Sequence, residues 1–131
     1  MKNRIIDANL NRFREGVRVV EDIFRYLLND KELSSQLKTL RHIRVEIPIE
    51  ILLQNRDVVN DILKSSTKSE QTRENLKSIV IANFKRAQES ARVLEELLKT
   101  ENIETSENFK KARYSLYNIE KLSFEKYDFK L

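Results

Sequence analysis

One glycine and one proline stand in 131 residues, and a chain this poor in turn residues folds into a few long regular elements. Sandwiches and barrels reverse direction every few residues and need far more of both. The 35% of charged and 40% of apolar residues suit amphipathic helices. The length suits one domain, so a single all-helical domain over residues 1–131 is expected. No window reaches the roughly 18 uncharged apolar residues of a membrane span, and the N-terminal residues lack the apolar centre of a secretory leader; a cytoplasmic protein without a membrane partner is expected. With no cysteine and one histidine, disulfides, thiolate metal sites and cysteine nucleophiles are excluded, and a histidine-based metal cage or triad is disfavoured. The lone glycine also excludes a glycine-rich phosphate cradle. A formal charge of +4 and a pI near 9.3 favour an anionic partner, held by side chains or helix ends.

Apolar residues at steps of three and four place four main helices. Phe13, Val17, Val20, Phe24 and Leu27 mark the first, over residues 3–28, with Asn3 or Asp7 as its cap and Asn29-Asp30 as its stop and the next cap. Leu33, Leu37, Leu40 and Ile47 mark the second, which Pro48 ends or kinks near Ile47; Ile49 to Leu53 resumes as a short helix. Residues 64–69 read as an exposed loop. Thr67 and Glu70 have capping-box spacing and open the third helix, which runs to about Thr100 through Ile79, Val80, Phe84, Ala87, Ala91, Leu94 and Leu98. Thr105 or Ser106 caps the fourth, striped by Phe109, Ala112, Leu116 and Ile119 and followed by a frayed aromatic tail. Short links between long helices predict an up-and-down bundle.

The first and third helices repeat one another. Ala8 to Asp22 aligns without gaps on Ala82 to Glu96, Asn9 to Asn83 being 74 residues apart, and both copies read N-x-x-R-x-x-E-x-x-R-V-x-E-[D/E]. Hydrophobic periodicity alone does not demand identity at polar positions. Asn11, Glu15, Arg18 and Asp22 line one helical face, and Lys85, Glu89, Arg92 and Glu96 line its counterpart. One reading is a solvated face laced by ion pairs of about 0.2 to 0.5 kcal/mol each. The other is a pair of anion-binding faces, because Lys and Arg are interchangeable in an exposed pair but not in bidentate phosphate binding. Gly16 lies mid-helix, where it costs roughly 1 kcal/mol against Ala. It is either merely tolerated or it permits a close crossing that brings the two copies to a shared cleft, within one chain or across a homo-oligomer.

Other candidates are fewer. His42 lies opposite the Leu33-Leu37-Leu40 stripe and reads as an exposed bystander, or with Arg41 and Arg44 as part of a basic patch. Asn55-Arg56-Asp57 reads equally as a turn with a local ion pair and as a lid carrying a phosphate ligand and a magnesium ligand. Arg113, Tyr117 and Glu120 share a face that ties the fourth helix to the bundle, and Lys110, Lys111, Lys121, Lys126 and Lys130 read as a solubilising surface.

The segments RIIDANLNRFREGVRVVED, LRH, NRD, ANFKRAQESARVLEE and ARYSLYNIEK resemble a small family of hydroxymethylpyrimidine phosphate kinases of thiamin biosynthesis. That family is unrelated to the ribokinase-like enzyme that usually performs the step and is often fused to thiamin-phosphate synthase; this chain would be the standalone form. The resemblance covers essentially the whole chain and departs at Phe13, where a small residue is expected, and at Leu63, where a glycine is usual. It implies transfer of the γ-phosphoryl of ATP, with magnesium, to 4-amino-5-hydroxymethyl-2-methylpyrimidine phosphate, giving the diphosphate, with the free alcohol a poor substrate.

The chemistry agrees with a chain of this composition. Phosphoryl transfer is catalysed chiefly by positioning and charge stabilisation. The attacking phosphate monoester, with a second pKa of about 6, is largely ionised near neutral pH and needs no general base. Arg12, Arg18, Arg86 and Arg92 are therefore expected to clamp phosphates, with Lys85, Arg56, His42 and Arg113 as further phosphate contacts. Glu15, Glu89 and Asp57 are the magnesium candidates, and Asn9, Asn11 and Asn83 the candidates for the pyrimidine or adenine edge. Three rival readings stand beside this one: a helical nucleic-acid binder, an ATP-independent all-α enzyme on an anionic metabolite resembling the all-α chorismate mutases, and a purely structural bundle. Carboxylates beside every repeat arginine argue against the nucleic-acid binder.

Overall fold

The computed structural model describes residues 2–129, the Ser69 side chain apart, and every regular element among them is helical. These are α1 (Lys2–Asp22), α2 (Lys31–Arg41), α3 (Ile49–Asn55), α4 (Lys68–Gln71), α5 (Leu76–Leu98) and α6 (Ile103–Lys126). α1 finishes in a π turn over Ile23–Leu27, where the Leu28 N–H reaches Ile23 O at 3.1 Å. Asn29 then takes φ 52°, a left-handed conformation that Asn tolerates, and Asp30 caps α2 by accepting from Leu33 N at 2.9 Å.

Four expected boundaries differ. α1 is already helical at Lys2, so Asn3 and Asp7 lie inside it and neither caps it. α2 ends at Arg41 rather than near Ile47, because Ile43, Val45 and Ile47 alternate with exposed His42, Arg44 and Glu46 and pack on the core from a non-helical segment with period two. Pro48 consequently sits at the N-cap of α3 instead of ending α2. The Thr67 cap is present, accepting from Glu70 N at 3.3 Å, but it opens only the single turn of α4. α5 starts afresh behind a capping box of Asn75 and Ser78. α6 is capped by Asn102, while Thr105 and Ser106 are buried inside it and the Ser106 hydroxyl donates to Glu95 O at 2.7 Å.

α1 packs most extensively on α5, α5 also carries α6, and α2 and α3 lie along α1. The core joins Phe13, Val17 and Phe24 of α1 to Phe84, Ala91 and Leu94 of α5, Phe109 and Leu116 of α6, Leu37 of α2 and Leu52 of α3. Gly16 is the close crossing that its position suggested. A Cβ there would stand 3.0 Å from Asn83 O and 3.2 Å from Ala87 N, so the α1 and α5 backbones touch.

Two buried glutamates at twin positions join neighbouring helices. Glu21 accepts from Arg41 Nε at 2.7 Å, and Glu95 accepts from Arg113 Nη2 at 3.0 Å. The aromatic tail is docked rather than frayed: Phe129 is buried, Tyr127 stacks on Phe24 at 6.3 Å, and Lys126 Nζ and Tyr127 Oη each donate to Asp30 Oδ2 at 2.7 Å. Lys110, Lys111, Lys121 and Lys126 are exposed; Lys130 lies outside the described residues. No helix among those residues is long and apolar enough to cross a membrane.

Candidate active site

Arg4, Asp7, Asn11, Arg14, Arg18 and Glu21 recur at steps of three and four along α1 and so form one polar stripe beside the apolar one. α2, the non-helical connection after it and α3 arch over this stripe, touching it through Glu21–Arg41, Arg14–Ile43 and Asp7–Arg56. The arch leaves two hollows end to end. Arg4 to Arg18 spans about 21 Å at the α-helical rise.

The hollow at the C-terminal end of α3 measures ≈ 360 Å³ and is lined by Arg4, Ile5, Asp7, Ala8, Asn9, Asn11 and Arg12 of α1 with Arg56, Asp57, Val58 and Asp61 of the loop that follows α3. Asp7 is buried and receives Arg56 Nε and Nη2 at 2.7 Å each. This charge-assisted fork raises the Arg56 pKa and fixes the plane of the guanidinium. The loop is held again by Arg4 Nη2, which donates to Asp57 O at 3.0 Å. The Asp57 carboxylate accepts from Asn60 Nδ2 and N at 2.7 and 3.0 Å, and these bonds keep its pKa below the usual carboxylate range. Arg12 is exposed and, among the described residues, has no hydrogen bond or ion pair.

The second hollow, ≈ 420 Å³, is a shallower depression, wide open to solvent, lined by Arg14, Glu15, Arg18, Val19 and Arg41. Arg41 is held by Glu21 and Arg18 by Asp22 at 3.2 Å. The residues singled out in the first repeat and in Asn55-Arg56-Asp57 thus converge: Asn9, Asn11, Arg12, Arg56 and Asp57 share one hollow, with Glu15 and Arg18 in the next.

The second repeat does not join them within the chain. Its corresponding stripe faces α6, where Gln88 Nε2 donates to Glu120 Oε1 at 2.9 Å and Lys85 lies 3.7 Å from the same carboxylate. Arg92 reaches Glu95 and Glu96 at 3.0 Å each, the local pairing that the bland reading of this face describes. Asn83 turns its amide onto Ile79 O at 2.8 Å, and Arg86 and Glu89 are exposed outside both α1 hollows. Arg113 is spent on Glu95, and His42 is exposed at the C-cap of α2. Among the described residues no three His, Asp or Glu side chains gather as a metal site.

A model of the ThiD2 family matches residues 4–122. The chain belongs to the ThiD2 family. This is the family that the repeat segments resemble, a small domain of thiamine biosynthesis. Among similar proteins, the thiamine-phosphate synthase of Prochlorococcus marinus (strain AS9601) is 38% identical over 127 residues, 95% of this chain and 36% of that protein. The thiamine-phosphate synthase of Thermosynechococcus vestitus is 40% identical over 118 residues, 89% of this chain and 34% of that protein. That of Rhodopirellula baltica is 37% identical over 122 residues, 87% and 32% respectively. This ThiD2 chain therefore spans about a third of the length of these relatives. No solved structure matches it.

Sequence reasoning on this ThiD2 chain passed over Arg4, Asp7, Arg14 and Asp61 as site residues. Asp7 and Arg14 carried a signal, since both recur with Arg4 and Arg18 on a stripe next to the apolar one, where ionic groups persist only if they find partners. Asp61 carried none, because only the course of the loop brings it to α1.

Proposed function

We propose that this chain transfers the γ-phosphoryl of ATP to the phosphate of hydroxymethylpyrimidine phosphate, forming the diphosphate and ADP. The observation that carries this reading is the hollow at the C-terminal end of α3, where two segments far apart in sequence bring arginines, amides and carboxylates together. Arg12 and Arg56 bind the substrate phosphate. Asn11 presents an amide edge to the aminopyrimidine between the apolar walls Ile5 and Val58, whereas Asn9, whose Nδ2 donates to Ile5 O at 2.9 Å as Asn83 does to Ile79 O, has only its Oδ1 to offer. One P–O bond forms from the substrate phosphate oxygen as the β–γ bridging bond of ATP breaks, and the electrons of that bond leave with ADP. The nucleophile is already ionised, so the chain supplies placement and positive charge rather than a base.

Magnesium that arrives on phosphates needs only one or two protein carboxylates. Asp57 and Asp61 in the first hollow and Glu15 in the second fit that requirement, so a three-carboxylate cage is not needed. The ion would neutralise charge on the transferring group. Arg86, Arg92, Lys85, Asn83 and Glu89 would enter the reaction only through a second copy of the chain.

The test incubates the protein with magnesium-ATP and either hydroxymethylpyrimidine or its phosphate. ADP and diphosphate are expected with the phosphate and not with the alcohol, because without the substrate phosphate the site guanidiniums stay unpaired. ADP formation with neither compound overturns the reading. Arg12→Ala should lose well over tenfold in turnover with an unchanged helical circular-dichroism signal, whereas Arg86→Ala should lose that much only if a partner chain completes the groove.

A further inference from the structure

Arg14 is the half-buried arginine of the α1 stripe that has no ion pair among the described residues; Arg4, which also has none, is exposed. Arg18 pairs with Asp22, Arg41 with Glu21 and Arg56 with Asp7. Arg14 is half-buried, and its one contact is a long 3.5 Å approach of Nη2 to Ile43 O. Among the described residues no carboxylate lies within 4.0 Å of it. Burial lowers its pKa with no nearby anion acting against the shift. A guanidinium drawn from water without a counter-charge is unfavourable, and here it stands at the wall of a ≈ 420 Å³ hollow flanked by two more guanidiniums. The carboxylate lining that hollow is Glu15, which is exposed and has no ion pair among the described residues.

We propose that this hollow is a polyphosphate subsite with Arg14 as its principal ligand, so that on the kinase reading above the nucleotide phosphates lie at the α2 end of the groove and the pyrimidine phosphate at the α3 end. The two hollows differ in the way this division needs. At the α2 end Arg18 and Arg41 are already paired with Asp22 and Glu21, and Arg14 has no ion pair among the described residues, so Arg14 is the guanidinium whose planar fork is open to a phosphate chain. The α3 end carries amides and apolar walls, which suit a ring. The hollows adjoin along one helix face, Asn11 and Arg14 being one turn apart, so ligands held in both would lie side by side along α1.

The test measures, by titration calorimetry, binding of magnesium tripolyphosphate and, separately, of hydroxymethylpyrimidine phosphate to the wild-type chain, Arg14→Gln and Arg12→Gln. Arg14→Gln should weaken tripolyphosphate at least tenfold and leave the pyrimidine phosphate within twofold, and Arg12→Gln should do the reverse. Orthophosphate should bind the second hollow far more weakly than tripolyphosphate. In the wild-type chain, tripolyphosphate should shift the backbone amide resonances of Arg14 and Ile43 and not those of Asp57 and Val58, a readout that requires no variant to fold. Wild-type tripolyphosphate affinity in Arg14→Gln, or shifts confined to Asp57 and Val58, would overturn the assignment. Failure of the pyrimidine phosphate to bind the wild-type chain would instead overturn the kinase reading, while the tripolyphosphate arm would still decide the subsite.

Discussion

Asp7 shows how one buried carboxylate organises a site. It anchors Arg56 across 49 residues of chain, and Arg56 in turn places the start of the 56–67 loop against α1. Asp7→Asn keeps the size and removes the charge, so the guanidinium loses its fixed plane. The expected result is a fall of about tenfold or more in kcat/KM for the pyrimidine phosphate, the scale on which small misplacements act, with circular dichroism unchanged. Unaltered kinetics would show that Arg56 is not held for catalysis. The role of Asp7 was only half legible in the sequence: its phase on the stripe was visible, but its partner is fixed by how the chain closes. The same holds at the N-terminus of α6, where Asn102, Thr105 and Ser106 are all good caps and the burial of the latter two decides for Asn102.

Among the elements, the α1–α5 pair was the most legible, because the repeated motif marks both helices and Gly16 marks their contact. What the repeat did not reveal is that its two polar stripes face different neighbours, α1 toward α2 and α3, α5 toward α6. A self-match fixes the phase of each helix but not what packs on it. Gly16→Ala measures the crossing directly. Ala gains roughly 1 kcal/mol of helix propensity, yet its Cβ would meet backbone atoms of Asn83 and Ala87 rather than a movable side chain. Net destabilisation of about 1 to 3 kcal/mol is expected, the usual range for overpacking, read as a lower urea midpoint at unchanged slope. Equal or greater stability would mean that the helices separate without strain. The non-helical stretch of residues 42–47 resembles helix in sequence because Leu40 and Ile47 fit a seven-residue spacing, although the alternation of Ile43, Val45 and Ile47 points to period two.

For the molecule as a whole, stability outside neutral pH should follow the tail. Burial pushes the Asp30 pKa up, but the bonds from Lys126, Leu33 N and Tyr127 outweigh it, and the carboxyl titrates below its ordinary value. Its contribution is therefore complete above the unfolded value of about 3.9 and is lost as pH falls through the folded one. Hydrogen bonding to Asp30 raises both the Lys126 and the Tyr127 pKa, so their contribution is complete below about 10 and fades as pH climbs beyond it. The near-ultraviolet signal of Tyr127 on Phe24 should hold a plateau between these limits. Asp30→Asn still caps α2 but should shift the acid limb toward neutrality or abolish it; an acid limb identical to wild type would remove Asp30 as its origin.

The all-helical class follows from the scarcity of glycine and proline, and residues 64–69 read as an exposed loop, but the apolar stretch before them gave little warning of its exposure: Val58, Val59, Ile62 and Leu63 are 64%, 77%, 94% and 81% exposed. One side of the first hollow, at Val58, therefore belongs to a greasy, water-facing loop moored to the bundle chiefly at Arg56 and Arg4. Trypsin should reach the bond after Lys64 well before any bond in the long helices. Saturation of the α3 end with hydroxymethylpyrimidine phosphate should slow that cut severalfold, whereas tripolyphosphate alone should leave its rate unaltered, turning a simple gel into a gauge of which end of the groove is filled.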